Sequence, residues 1–139
     1  MSFADDMKAW AAKTIEKSER AIIGIRSGVS DSIINKTPID TGFARGNWQA
    51  SIGSPETSVI ERYDTESGYA PTSGEGKSLY EANNVAVMDI DKDFYLTNNV
   101  EYIFNLEYFN GSNQAPQGMV RITVADYQNI VNDVVRELK

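Results

Sequence analysis

The first quarter of the chain carries an apolar stripe at helical spacing, and this stripe limits the fold more than any other feature. Apolar residues recur at steps of three, four or their sums, which places them along one side of a helix. Lysine, arginine and glutamate residues lie on the other side. Pro38 ends the pattern, because the residue before a proline disfavours the helical conformation. The pattern predicts one amphipathic helix from about Phe3 to Lys36, with the stripe formed by Phe3, Met7, Trp10, Ile15, Ile22, Ile25, Val29 and Ile33.

This helix is long for the size of the chain. It would extend roughly 50 Å at about 1.5 Å per residue, which exceeds what a domain of 139 residues can cover by itself. Gly24 and Gly28 each weaken a helix by about 1 kcal/mol relative to alanine, so the helix could bend near them. Alternatively, another subunit covers part of the stripe. The sequence leaves both interpretations open.

The remainder of the chain shows short patterns of both kinds. Alternating apolar residues indicate a strand at 47–52, β-prone residues before a turn signal indicate one at 94–97, and a weaker alternation indicates one at 58–63. Three-and-four spacing favours helices at 79–91 and from about Gln117 to the end, while 102–107 fits a short helix or a strand. Residues 53–78 are rich in Ser, Thr, Gly, Pro and Glu, which predicts a loop-rich insertion that is mobile and orders on a partner. Without an internal repeat, the chain is expected to form a single domain over 1–139.

Composition excludes several classes of chemistry. The chain has no cysteine, which rules out disulfides, zinc–thiolate sites and thiol catalysis. It has no histidine either, so the usual general base and the commonest metal ligand are missing. No apolar run approaches the ~18 residues of a membrane helix, and the first residues lack the pattern of a secretory signal. We therefore expect no catalytic, metal or cofactor site and no membrane contact.

The net charge of −7 is concentrated in the middle of the chain. Residues 37–108 carry four basic and twelve acidic groups, a net charge of −8. Tight binding of nucleic acid needs clustered lysine and arginine, so this balance argues against it. The ordinary interpretation is a solvated acidic surface. A more specific one is an acidic wall past which DNA slides without sticking.

Residues 40–42 read Asp-Thr-Gly, the tripeptide of aspartic proteases. That chemistry needs two such aspartates sharing a proton, one from each subunit in a small homodimeric enzyme. In that family an apolar strand leads into the aspartate, whereas here Pro38 and a helix precede Asp40. A turn with a helix cap is the preferred interpretation, and a protease using Asp40 is the alternative from a different class.

The alternating acidic residues Asp89, Asp91 and Asp93 suggest a calcium or magnesium loop. A common calcium loop needs a glycine at its bend and a bidentate glutamate at its twelfth position. Here Phe94 occupies the place of the glycine, and Glu101 is displaced by one residue. The pattern is more typical of a charged strand edge that discourages aggregation.

Three segments of the chain stand out together by their order and spacing. They consist of Thr37, Pro38, Ile39, Asp40, Thr41, Gly42, Arg45 and Trp48, then Asn99, Tyr102, Leu106, Glu107 and Tyr108, then Ser112 and residues 114–121. In this order they resemble the tail-completion, neck or head–tail joining proteins of long-tailed bacteriophages. The resemblance covers nearly the whole chain except for about 54–92, and one departure is Asn110 before Gly111, where relatives often run directly from glutamate and an aromatic residue to glycine.

The resemblance implies an α+β fold in which a long N-terminal helix and a C-terminal helix pack on a small antiparallel β-sheet. It also implies a non-enzymatic virion protein that forms a ring, usually of six copies, with a heterologous interface around a closed axis. Such a ring completes the tail and leaves a channel through which DNA passes without sequence-specific binding. Its partners are the tail tube or tail terminator protein on one side and the head-closure or connector protein on the other. A tail terminator or head-closure subunit is the nearest alternative, and a soluble regulator that binds another protein through the first helix is a third class.

The same segments supply the predicted interface residues. A planar guanidinium such as that of Arg45 can bridge a neighbour's carboxylate with two hydrogen bonds. Trp10 and Trp48, by contrast, are expected in the core. The predicted interface consists of Thr37, Pro38, Ile39, Asp40, Thr41, Gly42, Phe43, Arg45, Tyr102, Glu107, Gln114, Pro116, Met119 and Arg121.

Overall fold

The computed structural model describes residues 2–65, 77–108 and 114–138. The fold is α+β, as expected: a long first helix and the C-terminal helices accompany a two-stranded antiparallel sheet. The central part of the predicted 53–78 loop and Ser112 lie outside the described residues. In chain order the elements are α1 (Phe3–Lys36), α2 (Phe43–Gly46), β1 (Gln49–Ile52), α3 (Lys77–Ala86), β2 (Phe94–Thr97), α4 (Ile103–Tyr108), α5 (Val120–Ala125) and α6 (Tyr127–Glu137).

Both ends of α1 are fixed by local hydrogen bonds. Ser2 Oγ accepts a hydrogen bond from the N–H of Asp5 at 3.2 Å, and the N–H of Ser2 donates to the Asp5 carboxylate at 3.3 Å. This reciprocal pair satisfies donors that the first turn of a helix leaves free. At the other end, the N–H of Thr37 donates to the carbonyl of Ile34, and Pro38 follows. The predicted bounds are confirmed, and no helix in the described part of the chain is both long and apolar enough to cross a membrane.

The helix α1 runs unbroken through Gly24 and Gly28. They are instead the places where α6 comes close. A Cβ atom added at Gly24 would lie 2.8 Å from a methyl carbon of Val134, and one added at Gly28 would lie 2.8 Å from a methyl carbon of Ile130. Of the two interpretations that the sequence left open, a break in the helix at these glycines is therefore wrong. The glycines allow two helices to approach more closely than side chains would permit.

The core lies where the second half of α1 meets α3 and the sheet. In the sheet, β1 pairs with β2 from Gln49 opposite Thr97 to Ile52 opposite Phe94. Trp48 is buried beside β1, as predicted, and its indole N–H donates to Thr37 Oγ1 at 2.7 Å. The core residues come from both halves of the chain and are Ile33, Ile34, Trp48, Ala50, Leu79, Ala82, Ala115 and Met119.

The C-terminal region forms two helices rather than the single helix predicted. Asp126 separates α5 from α6, with φ of −94° and ψ of 4°, outside the helical basin. Both helices contact α1: Thr123 shares a hydrogen bond of 2.7 Å with Ser32, and Ile130 packs at Gly28. The interruption lets each helix make its own contact along α1.

The predicted strand at 58–63 is wrong, because this segment is irregular in the structure. Its backbone groups bond to side chains instead of to a neighbouring strand. The Asn47 side-chain amide accepts from the N–H of Ile60 at 2.8 Å and donates to its carbonyl at 3.0 Å. Gln49 Nε2 likewise donates to the carbonyl of Ser58 at 2.7 Å. Side-chain amides thus hold an extended segment that the alternation pattern assigned to a sheet.

Arg26 is buried although the sequence pattern placed it on the polar side of α1. Its Nη1 donates to the carbonyls of Ala86 at 3.2 Å and Met88 at 2.7 Å, and its Nη2 donates to the carbonyl of Lys92 at 2.7 Å. The guanidinium carbon also lies 5.4 Å from the ring centroid of Phe94. One side chain therefore satisfies carbonyls at the end of α3 and fixes the connection to β2.

Replacing Arg26 with lysine is expected to lower the free energy of unfolding by about 1–2 kcal/mol. The ammonium group keeps the charge, but it lacks the planar set of donors that reaches carbonyls at both ends of the connection. Urea denaturation measures the change. Arg20→Lys, at an exposed position of the same helix, serves as the control and is expected to change stability by less than about 0.5 kcal/mol. Equal effects of the two substitutions would contradict the role given to Arg26.

Candidate functional site

The segment that follows α1 and the helix α4 enclose a cleft with a volume of about 230 Å³. We call this feature the cleft. Its residues come from three separate parts of the chain, and most of them belong to the predicted interface. The lining consists of Pro38, Ile39, Asp40, Thr41, Gly42, Phe43, Ala44, Tyr102, Leu106 and Gln114.

The Asp-Thr-Gly tripeptide forms a turn at one side of the cleft. Gly42 has a φ of +87°, and a Cβ atom there would lie 2.6 Å from the carbonyl oxygen of Asp64. The carbonyl of Gly42 accepts hydrogen bonds from the N–H groups of Asp64 at 2.9 Å and Gly46 at 2.8 Å. Thr41 Oγ1 accepts from the N–H of Phe43 at 3.3 Å. The tripeptide thus directs the chain from α1 into α2 and holds the 60–65 region against it.

Gln114 joins the third matching segment to the first. Its Oε1 accepts from the N–H of Ile39 at 2.9 Å, and its Nε2 donates to the carbonyl of Ile39 at 3.2 Å. The side-chain amide therefore pairs with one backbone residue as a neighbouring strand would. Both residues of this pairing belong to the lining of the cleft.

Tyr102 lies at the edge of the cleft and is partly exposed. Burial raises the pKa of its phenol, and the negative charge of Asp40 and the neighbouring phenol of Tyr63 raise it further. The phenol is therefore a neutral hydrogen-bond donor at neutral pH. A partly exposed aromatic ring with a polar tip is well suited to a protein–protein contact.

The side chain of Glu107 caps the start of α5, although Glu107 lies twelve or more residues earlier in the sequence. Its Oε1 accepts from the N–H groups of Met119 at 2.9 Å and Val120 at 2.8 Å, and its Oε2 accepts from the N–H of Arg121 at 3.0 Å. Arg121 Nε donates to the same oxygen at 3.1 Å, and its Nη2 donates to the carbonyl of Glu107. We call this set of contacts the Glu107 clamp. It satisfies three of the four donors that the first turn of a helix leaves free.

The electrostatics of the Glu107 clamp favour the carboxylate. Burial on its own would raise the pKa of Glu107, since the charged form loses solvent. Hydrogen bonds from the backbone N–H groups of the clamp and from Arg121 outweigh that effect, and the pKa is lowered. The Arg121 guanidinium also lies 5.0 Å from the ring centroid of Tyr108. The clamp therefore joins the second and third matching segments as an ionised pair.

Arg45 lies inside the chain, with 1% of its surface exposed. Its Nη2 donates to Asn35 Oδ1, while its Nε has no hydrogen-bond partner among the described residues. Burial lowers the pKa of Arg45, and the charges of Asp64 and Asp31 act in the opposite direction. A guanidinium held in this way is not available to the carboxylate of a neighbouring subunit. The structure gives Arg45 an internal role instead.

The predicted interface residues divide into two groups by exposure. One group is exposed or half-buried, and it consists of Ile39, Asp40, Thr41, Phe43, Tyr102, Gln114, Pro116 and Arg121. The other group is buried and holds the first group in place, and it consists of Thr37, Pro38, Gly42, Arg45, Glu107 and Met119. Only the first group is placed for direct contact with a partner.

The chemistry available in the cleft is limited. Asp40 is the one carboxylate among its lining residues, so a pair of aspartates sharing a proton would need a second copy of the chain. Asp89 has a φ of +32° and forms a turn before β2. In the described parts of the chain, no group of three or more acidic side chains is placed to hold a metal ion. A small concave surface that combines apolar side chains with polar groups is suited to receive a side chain of a partner.

The sequence left open whether the rest of the chain covers the stripe, and the structure leaves the first half of α1 exposed. Every residue from 2 to 20 is exposed. The expectation that Trp10 lies in the core is wrong, because 65% of its surface is open to solvent. The only signal in the sequence was the length of the helix, which exceeds what the rest of the chain can cover.

Comparisons with known proteins do not assign a family. No family model matches the chain, and neither the curated proteins nor the solved structures contain a match.

Proposed function

We propose that this protein is a structural subunit of a bacteriophage neck, where it completes the tail and joins it to the head connector as one copy in a ring around the DNA channel. One observation carries the proposal. The three segments that resemble tail-completion proteins converge in the fold, at the cleft and at the Glu107 clamp. Their side chains hold one another through caps, turns and an ion pair. Such residues build a docking surface rather than a reaction centre.

The exposed half of α1 supports a role in assembly. A monomer rarely leaves several large apolar side chains exposed on one face unless a partner covers them. In a ring, each copy presents one surface to the copy before it and a different surface to the copy after it. The chain offers two such surfaces, the exposed end of α1 and the cleft. The tail tube or tail terminator protein and the head-closure or connector protein would contact the remaining faces.

The charge distribution supports passage of DNA rather than binding. Residues 37–108 have a net charge of −8, which repels the phosphate backbone. A ring whose channel displays part of this charge would let DNA move through without sequence-specific contacts. In this interpretation the protein needs neither a cofactor nor a metal.

Phage particles made without this protein are expected to have missing tails or tails that do not join heads. Electron microscopy of lysates from a deletion phage, together with a count of infectious particles, measures the outcome. Supplying the wild-type protein from a plasmid should restore joined particles. Normal infectious virions in its absence would overturn the proposal, and tails of uncontrolled length would favour the tail-terminator alternative.

The same complementation assay separates assembly from proteolysis. Asp40 is exposed and lies in a turn at the rim of the cleft, so Asp40→Asn keeps the turn and should still restore joined particles, with at most a modest loss from the missing rim charge. An aspartic protease would lose its activity with this substitution. Peptide cleavage by the purified wild-type protein that is absent from purified Asp40→Asn would favour the protease alternative.

A further inference from the structure

The first half of α1 presents an apolar surface that nothing in the described chain covers. Phe3, Met7, Trp10 and Ile15 are 81%, 49%, 65% and 59% exposed. Together they expose on the order of 400 Å² of apolar surface, given the ~150–250 Å² that one large aromatic side chain can bury. A patch of this size is comparable to the largest apolar patch on a typical monomer, which is often functional. It amounts to about half of the ~800 Å² that each partner contributes to a standard interface.

The charges beside this patch indicate an acidic partner surface. At about 100° per residue along a helix, Lys8 and Lys17 fall immediately beside the apolar stripe, one on each side. The nearest acidic groups, such as Asp6 and Glu19, lie farther from it around the helix. The strongly acidic part of this same chain is residues 37–108, with a net charge of −8, and it contributes most of the cleft lining. Residues 2–20 carry four basic and four acidic groups, so the charge match is between Lys8 and Lys17 beside the stripe and the acidic cleft region of a second copy.

The cleft fits one large apolar side chain. A cavity of ~150 Å³ in a protein core can bind a benzene molecule, and the cleft has a volume of about 230 Å³. Phe43, Tyr102 and Leu106 supply apolar walls, and the exposed carboxylate of Asp40 lies at the rim. An aromatic side chain with a lysine nearby matches this lining in shape and in charge.

The shape of α1 prevents the stripe and the cleft of one copy from meeting. The cleft begins at Pro38, directly after the end of α1. Trp10 lies 28 residues earlier on an unbroken helix, which places the two roughly 40 Å apart. An unbroken helix does not fold back on itself. The two surfaces can come into contact only between different copies.

We propose that the apolar stripe at the start of α1 docks against the cleft of a second copy of this chain, with the Trp10 side chain as its anchor. Trp is the residue type that most often dominates the energy of an interface. The contact joins two different surfaces, so it repeats from copy to copy and produces a closed ring when the rotation closes. This inference deepens the proposed function and rests on it for closure into a neck ring, whereas the contact itself can be measured on purified protein.

Cross-linking between two single-cysteine variants tests the contact. The chain has no cysteine, so Thr14→Cys on the stripe and Thr41→Cys at the cleft each introduce one thiol while keeping Trp10. Oxidation of an equimolar mixture is expected to give a disulfide between the two variants, in solution or in assembled tails. Ala9→Cys, on the opposite face of α1, is the matched control and should not cross-link to Thr41→Cys.

Other outcomes of the cross-linking would overturn the inference. Absence of the mixed disulfide both in solution and in assembled tails would overturn it. A disulfide between two copies of Thr14→Cys would also overturn it, because that disulfide indicates pairing between two α1 helices. Cross-links from the stripe to a different tail protein alone would also overturn it. If the deletion phage assembles normally while the mixed disulfide forms, the neck proposal fails and the contact stands. If the deletion phage fails to give joined particles but the mixed disulfide does not form, the proposed contact is wrong and the neck proposal stands.

A charge placed in the stripe gives an independent measurement. Trp10→Glu is expected to weaken self-association of the purified protein by at least about tenfold, as the loss of an anchor residue does. Because Trp10 is mostly exposed, the substitution should leave the fold intact, which circular dichroism checks. Ala9→Glu adds the same charge on the opposite face and should not change association. Equal association of both variants with the wild-type protein would contradict the anchor role of Trp10.

Discussion

Replacing Glu107 with alanine is expected to lower the free energy of unfolding by about 3–5 kcal/mol. The substitution removes the acceptor for the N–H groups of Met119, Val120 and Arg121 at once. Met119 is fully buried, so water cannot easily replace the lost acceptor there, and an unsatisfied buried donor is costly. The Arg121 guanidinium also loses its carboxylate partner. Urea denaturation followed by circular dichroism measures the change.

Two further variants make this prediction specific. Glu101→Ala removes an exposed carboxylate from the same part of the chain and should change stability by less than about 0.5 kcal/mol. Glu107→Gln keeps one acceptor oxygen but loses the charge, so it should fall between alanine and the wild-type protein. If Glu107→Ala lowers the free energy of unfolding no more than Glu101→Ala does, the Glu107 clamp contributes little to stability.

The clamp also predicts a pH dependence. The pKa of Glu107 is lower in the folded chain than its ordinary value of 4.5. A carboxyl group of this kind stabilises the fold above its unfolded pKa and loses that contribution as pH falls through the folded pKa. The wild-type protein should therefore lose stability below about pH 4.5 more steeply than Glu107→Gln, which cannot titrate there. Parallel curves for the two proteins would contradict this assignment.

The sequence predicted the elements whose pattern is local. The apolar stripe and Pro38 were sufficient for the bounds of α1, and alternation was sufficient for β1 and β2. Alternation at 58–63 gave the wrong result, because Asn47 and Gln49 offer that backbone hydrogen bonds that compete with a sheet. An alternation pattern indicates which side chains face the core. It does not indicate which groups form hydrogen bonds with the backbone.

The roles of single residues in the site were harder to predict, because their partners are distant in sequence. Arg26 fell on the polar side of α1, and its acceptors are carbonyls about 60 residues later. Glu107 was identified as part of a matching segment, but its role as a cap depends on the position of α5 relative to α4. Gly24 and Gly28 suggested a bend, and only the position of α6 shows that they make room for another helix.

Alanine at Gly118 is expected to lower the free energy of unfolding by about 4 kcal/mol or more, for two separable reasons. Gly118 has a φ of +82°, a region in which a residue with a Cβ atom is strained. The Cβ atom would also lie 2.2 Å from Oε2 of Glu107 and 2.7 Å from its carbonyl oxygen. Those atoms belong to the clamp and cannot move away without breaking its hydrogen bonds.

Gly53 provides the matched control that separates strain from collision. It has nearly the same φ, +86°, with nothing within 4 Å of an added Cβ atom. Gly53→Ala should therefore show the backbone strain alone, about 1–2 kcal/mol. Any additional loss at Gly118→Ala measures the collision with Glu107. A double variant with Gly118→Ala and Glu107→Ala lacks the carboxylate that collides with the added Cβ atom. Its loss of unfolding free energy should therefore be smaller than the sum of the two single losses by about 1–2 kcal/mol. Full additivity, or equal losses at Gly118 and Gly53, would mean that Gly118 does not make room for the clamp.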